Sequence, residues 1–199
     1  SGRRKRINSE QGKLRMKEHF QNFVIVSVAY ITAYSLTLGF ISPVQKILMS
    51  SVAIEVGLLF LPHGVRVVAI YFLGWKAVFY LLPASYLMLG LSAQAGIYLN
   101  PWVVIVSPVA CYIGVELVAR FLPERTPPRR FPRWQYFGVI AFVSSVLNSL
   151  GITLVFKQEL DLLVATGYLM GDMAGFFVCF LILMYAFRFA RLLAKASET

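Results

Sequence analysis

The residues of this sequence that could do chemistry are ionisable and amide side chains inside long apolar segments. A charged group is costly in hydrocarbon, so each one within an apolar segment is a candidate for ligand binding or for a paired contact. We expect such residues to bind a ligand or a partner within the membrane. The candidates are Glu55, His63, Arg66, Glu116, Arg120, Asn148 and Asp172.

His63 and Arg66 lie where Pro62 and Gly64 interrupt an apolar segment. A broken helix exposes backbone groups that can bind ions or polar ligands, and there Arg66 would hold a carboxylate or a phosphate. The alternative is a turn at the membrane surface with Arg66 bound to lipid phosphate. Glu55, in the preceding segment, is a proton or cation site, a counter-charge to a ligand or to Arg66, or a carboxyl group packed for structure.

Glu116 and Arg120 are four residues apart, so on one helix they share a face. We expect them to form a structural ion pair, and a substrate contact is the alternative.

Asp172 stands between Gly171 and Gly175. Two glycines four residues apart let another helix approach closely. We therefore predict helix packing at both glycines and an Asp172 side chain that points into the protein. Its partner would be Asn148, Arg66 or an external subunit.

The composition indicates that lipid surrounds the chain. Of its 199 residues, 58% are hydrophobic and 14% are charged, whereas a soluble domain is nearer half apolar and a quarter charged. Crossing a bilayer takes roughly 20 apolar residues. We predict an all-α, polytopic transmembrane helix bundle forming a single domain over residues 23–193, with about six spans and one short re-entrant or interfacial helix. The predicted spans are 23–41, 47–61, 77–93, 102–122, 136–156 and 162–187, and the short element is 62–76.

The net charge of +10 is concentrated at three places. These are a basic N-terminal arm (1–22), a loop rich in proline and arginine (123–134) and the end of the last span with its tail (194–199). Basic residues next to spans stay in the cytoplasm, so we expect both termini there. A seven-span alternative would separate the two terminal clusters, against this charge bias. We expect these clusters to contact anionic lipid at the cytoplasmic face and not nucleic acid.

Common catalytic and metal-binding motifs are absent from the sequence. It has no Walker loop, no HExxH and no GxSxG. His19 and His63 are its only histidines, and Cys111 and Cys179 have no neighbour at metal-ligand spacing. We predict no enzyme of a motif-bearing class, no catalytic residue, no metal site and no cofactor.

Three segments share their order with a known family. The run from Leu61 to Trp75 has a Pro-x-Gly element, an apolar stretch and a Gly-aromatic pair. It is followed by Tyr112-Ile113-Gly114-Val115-Glu116-Leu117 and by a Gly-Asp-x-x-Gly helix within 167–175. Together they resemble bacterial membrane-associated sensor domains of the MASE type, over most of residues 47 to 187. The resemblance implies a bacterial inner-membrane location and an input or partner-binding role.

From these features we expect a non-enzymatic integral membrane subunit, sensory or accessory, that binds a membrane partner or a small ligand within its helix bundle. Another integral membrane protein or a larger membrane complex is the expected partner. The alternative is a small substrate-binding or transport component, which six spans, a broken segment and midplane carboxyl groups suit. A third hypothesis is an intramembrane enzyme that modifies lipid.

Overall fold

A computed structural model gives the fold. It describes residues 2–48, 57–94, 100–122, 134–157 and 162–196, which form α-helices and no strand. The predicted all-α fold class is confirmed for these residues. The helices are α1 (Gly2–Leu36), α2 (Ser42–Leu48), α3 (Leu61–Leu73), α4 (Trp75–Gln94), α5 (Val103–Phe121), α6 (Trp134–Lys157) and α7 (Leu162–Ala196).

Five stretches of helix in the described residues are long and apolar enough to cross a membrane. The chain therefore has the architecture of a multi-pass membrane protein. Each stretch overlaps one of the spans predicted at 23–41, 77–93, 102–122, 136–156 and 162–187. The stretches are Gln11–Leu48, Trp75–Gln94, Val103–Phe121, Gln135–Leu154 and Ala165–Ala194.

The first helix continues past the Ser42-Pro43 pair, where the sequence predicts its end. A π-helical turn, Thr37–Ile41, joins α1 to α2. The Ser42 amide donates to the Thr37 carbonyl, and the Ser42 hydroxyl donates to the same oxygen at 3.0 Å. A proline lacks an N–H and its ring clashes with the preceding turn of an α-helix. The wider π turn comes just before Pro43 and lets the helix continue.

The region predicted as a span at 47–61 and a short element at 62–76 is described only in part. Residues 49–56 lie outside the described residues. At the described ends, Ile47 and Leu48 belong to α2, and Gly57–Phe60 are not helical. The helix α3 has only 13 residues, about 20 Å, which is too short to cross a bilayer. Most of α3 is buried inside the bundle.

Backbone and side-chain contacts fix the direction of α3 relative to its neighbours. Along α7, Gly171 lies beside Gly57, Gly175 lies beside Phe60, and Cys179 lies beside Gly64. The two helices are therefore parallel. On the other side, Tyr30 of α1 meets Arg66, while Tyr34 packs on Phe60, so α1 and α3 are antiparallel.

The remaining helices follow the same alternation. His19 and Tyr34 of α1 reach Tyr80 and Ser92 of α4, so these helices are parallel. Helix α6 is antiparallel to α5, because Gly114 contacts Ser144 and Val106 contacts Gly151. It is also antiparallel to α7, because Asn148 contacts Asp172 and Phe137 contacts Phe180. Helices α1, α4 and α6 thus run one way, and α3, α5 and α7 run the other way. The start of α1 and the end of α7 lie at the same end of the bundle.

Glycines on α7 allow this arrangement. A Cβ atom built on Gly171 would overlap the Gly57 carbonyl oxygen, and one on Gly175 would overlap the Phe60 carbonyl oxygen. The Phe60 amide donates to the Gly171 carbonyl at 2.9 Å. The two glycines thus accept an irregular backbone segment, where the sequence predicts the approach of another helix.

Substitution of Gly175 by alanine is expected to destabilise the fold by about 2 kcal/mol, because overpacking against backbone cannot be relieved by a rotamer change. Thermal unfolding in mild detergent measures the effect. Gly90→Ala is the control, since nothing lies within 4 Å of a Cβ there and alanine favours the helix by up to about 1 kcal/mol. Equal stability changes in the two variants would contradict the close backbone approach.

Candidate functional site

Polar side chains from five helices meet in the centre of the bundle, and we call them the core polar cluster. Its members are nearly all inaccessible; His63 is 0% exposed, and Arg66 and Asp172 are each 3% exposed. Their meeting requires α3 to begin inside the bundle, since His63 is the third residue of that helix. The members are Tyr30 (α1), His63 and Arg66 (α3), Cys111 (α5), Ser145 and Asn148 (α6) and Asp172 (α7).

The His63 ring connects three other helices. Its Nδ1 lies 3.3 Å from Asp172 Oδ2 on α7 and 3.8 Å from Cys111 Sγ on α5. Its Nε2 lies 3.0 Å from Ser145 Oγ on α6. A proton on Nδ1 would be donated to the carboxylate, and Nε2 would then accept the serine hydroxyl proton. Both ring nitrogens therefore have a partner.

Asp172 is held from a second direction by an amide. Asn148 Nδ2 donates to Oδ2 at 2.6 Å, the same oxygen that faces His63. The amide oxygen of Asn148 is buried and has no hydrogen-bond partner among the described residues. The cluster therefore contains a buried acceptor that remains open to a donor.

Arg66 is the least satisfied member of the cluster. Its Nη2 donates to the Tyr30 hydroxyl at 2.7 Å, and its Cζ lies 5.3 Å and 5.4 Å from the ring centroids of Tyr30 and Phe60. Such contacts with aromatic faces stabilise a cation. Within the described part of the chain, Nε and Nη1 have no hydrogen-bond partner and the guanidinium forms no ion pair. Unpaired donors in the interior are costly, so these two nitrogens favour an additional acceptor.

Two glycines bring the helices of the cluster close together. On Gly64, an added Cβ would meet the Cβ of Cys179 on α7; on Gly114, it would meet Ser144 on α6. Close helix approach at small residues is the usual packing mode in membranes. Here Gly64 lets α3 approach α7, and Gly114 lets α5 approach α6.

The chain Ser145–His63–Asp172 has the atom order of a nucleophile, its base and an orienting acid. All three side chains are buried. The contacts of His63 with Ser145 and Asp172 join α3 to α6 and α7.

The structure brings four of the predicted candidates together, namely His63, Arg66, Asn148 and Asp172. Glu55 lies outside the described residues. The described residues include no group of three or more His, Cys, Asp and Glu side chains that could hold a metal ion.

Glu116 and Arg120 lie away from the cluster, and the ion pair expected between them is not formed. Helix α5 buries the face that carries Cys111 and Val115, so Glu116 and Arg120 project outward and are exposed. Glu116 instead accepts a hydrogen bond from Tyr112, one turn earlier.

Three members of the cluster were not predicted. On α6, polar residues recur at spacings of three and four residues and so share one face of the helix: Ser145, Asn148, Ser149 and Thr153. This polar face could have indicated Ser145. Cys111 is expected from sequence to be only a small buried hydrophobe. Tyr30 carries no signal that separates it from Tyr34, the other tyrosine of the first span.

Comparison with known proteins finds no matching family model, no similar curated protein and no similar solved structure.

Replacing Asp172 by asparagine is expected to destabilise the fold by about 3 kcal/mol, because it removes the buried carboxylate near Arg66 and faces the Asn148 amide with another amide. Unfolding in mixed micelles with increasing dodecyl sulfate measures the effect. Glu18→Gln makes the same acid-to-amide change on an exposed position of α1 and serves as the control.

The double variant Asn148→Asp/Asp172→Asn keeps one acid and one amide in the cluster. It is expected to recover part of the loss. No recovery would show that the position of the carboxylate matters more than its presence, and a single variant as stable as Glu18→Gln would contradict the role of the cluster.

Proposed function

We propose that this chain is a non-enzymatic integral membrane subunit, sensory or accessory, that binds a small anionic ligand inside its helix bundle at Arg66. The observation that carries the proposal is the buried guanidinium, with two nitrogens that lack a partner among the described residues. A carboxylate or phosphate group has the acceptors to satisfy both. Apolar surroundings would strengthen that interaction.

The break before α3 supports the same proposal. The helix begins near the centre of the bundle, and a helix N-terminus carries partial positive charge. Discontinuous helices in membrane proteins bind anionic groups at such ends. Arg66 lies five residues after the first residue of α3, so the side-chain charge adds to that of the helix end.

The aromatic rings beside Arg66 favour a ligand with an apolar part. Tyr30 and Phe60 cover the guanidinium, and many large apolar side chains are exposed on the outside of the bundle. A carboxylate attached to a hydrocarbon group suits these surroundings better than a fully hydrated anion.

We further propose that the chain resides in the bacterial inner membrane with both termini in the cytoplasm. The support is the basic residues that border the first and last spans and the positive-inside rule. The resemblance of 61–75, 112–117 and 167–175 to MASE-type domains is in line with a sensory role. The proposed partners are another integral membrane protein and anionic lipid at the cytoplasmic face.

A substrate-binding or transport component is the second candidate. The observation that favours it is the non-helical backbone of Gly57–Phe60 followed by the short helix α3, because transporters place broken helices at their substrate sites. Uptake of the bound anion by proteoliposomes would distinguish this function, since a sensory subunit binds its ligand without moving it.

The expected test result is a higher unfolding temperature of the purified chain with octanoate or inorganic phosphate. A ligand at 100 times its Kd adds about 2.7 kcal/mol, which corresponds to a shift of several degrees for a chain of this size. Arg66→Gln should abolish the shift, and Arg66→Lys should reduce it, since lysine provides a point charge without the planar donors.

Arg188→Gln is the matched control, because Arg188 is exposed on α7. It should keep the full shift. The proposal fails when neither probe stabilises the wild-type chain and native mass spectrometry finds no retained anion. A rise in unfolding temperature that persists in Arg66→Gln would show that the anion binds at a site other than Arg66.

A further inference from the structure

The outer face of α5 carries two opposite charges within a membrane-crossing helix. The α5 stripe consists of Val109, Ile113, Glu116 and Arg120, which recur at spacings of three and four residues and therefore share one face. All four are exposed. The opposite face of α5, with Cys111, Gly114, Val115 and Val118, is buried against the bundle.

Glu116 is the unusual member of the stripe. It lies inside the span Val103–Phe121, five residues before the end of the helix, which is about 7.5 Å along the axis. Tyr112 donates a hydrogen bond to it, but this bond does not neutralise its charge, and it forms no ion pair with any described residue. Charged residues in spans almost always face a protein interior or a paired group. An outward Glu116 therefore indicates that another protein surface covers this face.

Arg120 supplies the complementary charge one turn further along. It faces the same way and does not pair with Glu116 of its own chain. A second copy of the chain brings an identical stripe, so its Arg120 can meet Glu116 while its Glu116 meets Arg120. The charges of the stripe are therefore complementary to those of a second copy of the same chain.

We propose that the α5 stripe is the interface of a homodimer, with two reciprocal Glu116–Arg120 pairs across a twofold axis. An axis along the membrane normal keeps both copies in the same orientation and produces a self-complementary contact. The two α5 helices are then parallel, and the paired residues are offset by about 6 Å along the axis. Side chains as long as glutamate and arginine span such an offset, as in parallel coiled coils.

The apolar part of the stripe suits close packing but does not identify the partner. Ile113 is 44% exposed and Val109 is 39% exposed. Lipid tails are as apolar as these side chains, so their exposure alone does not drive association in a bilayer. Branched side chains such as these lose little rotamer freedom when they pack. The Glu116 and Arg120 charges determine which partner binds, and Val109 and Ile113 provide the packing contact between the helices.

The first experiment counts subunits by single-molecule photobleaching of the labelled full chain in dilute liposomes. The wild type should show two bleaching steps. Glu116→Arg and Arg120→Glu should each lower the dimer fraction at least fivefold, because each places like charges opposite one another. The double variant Glu116→Arg/Arg120→Glu should restore the dimer. A monomeric wild type, or a double variant no better than the single ones, overturns the proposal.

Cysteine cross-linking tests the interface without a charged substitution. Ile113→Cys lies in the stripe and should form an intermolecular disulfide on mild oxidation in the membrane. Leu87→Cys is the control, because Leu87 is 52% exposed on α4 but lies outside the stripe. Equal cross-linking at both positions, none at Ile113→Cys, or a cross-link to a different protein would overturn the proposal.

Discussion

Backbone N–H and C=O groups that leave a helix inside an apolar medium must find partners, and this constraint governs the bundle. Gly57–Phe60 are not helical, yet they lie against α7. The Phe60 amide bonds to the Gly171 carbonyl, and the Leu58 amide bonds to the side chain of Gln45 at 3.0 Å. Without a Cβ at Gly171 and Gly175, the irregular backbone can come close enough to be satisfied. The break in the second passage of the chain is stable for this reason.

The break determines where the polar chemistry lies. A continuous helix through this region would extend its backbone bonds past Phe60 and would place no helix end inside the bundle. Because α3 starts there, His63 and Arg66 are buried among α1, α5, α6 and α7. The buried Asp172 lies near the positive end of α3 and near Arg66, which lowers the cost of a buried carboxylate. The fold and the candidate site therefore share one cause.

The sequence predicts the parts of this structure that depend on hydropathy and on single costly residues. Long apolar runs predict the helices at 77–93, 102–122 and 136–156 closely. Charge in an apolar segment identifies Arg66 and Asp172 as special, and the Gly-x-x-x-Gly spacing identifies a close approach at Gly171. Each of these signals is local in the chain.

The sequence could not predict which face of each helix is buried in the bundle and which face is exposed. Glu116 and Asp172 are both carboxylates in apolar segments, where a charge is costly. In the structure, however, Glu116 is exposed and Asp172 is buried. Helical spacing alone predicts that Glu116 and Arg120 share a face; it does not say whether that face is covered by the same chain. Likewise, an apolar segment is compatible with a helix or with a non-helical backbone that packs on glycines, as Gly57–Phe60 do.

The different surroundings of the two carboxylates separate two physical roles. Asp172 is surrounded by donors from α3 and α6 within its own chain, so it stabilises the core polar cluster. Glu116 has one neutral donor from its own helix and forms no ion pair with any described residue. Because α5 contributes Cys111 to the core polar cluster and Glu116 to the outer face, a rotation of this helix would alter both at once. A movement of α5 would therefore change both the surroundings of His63, which Cys111 contacts, and the position of the exposed Glu116.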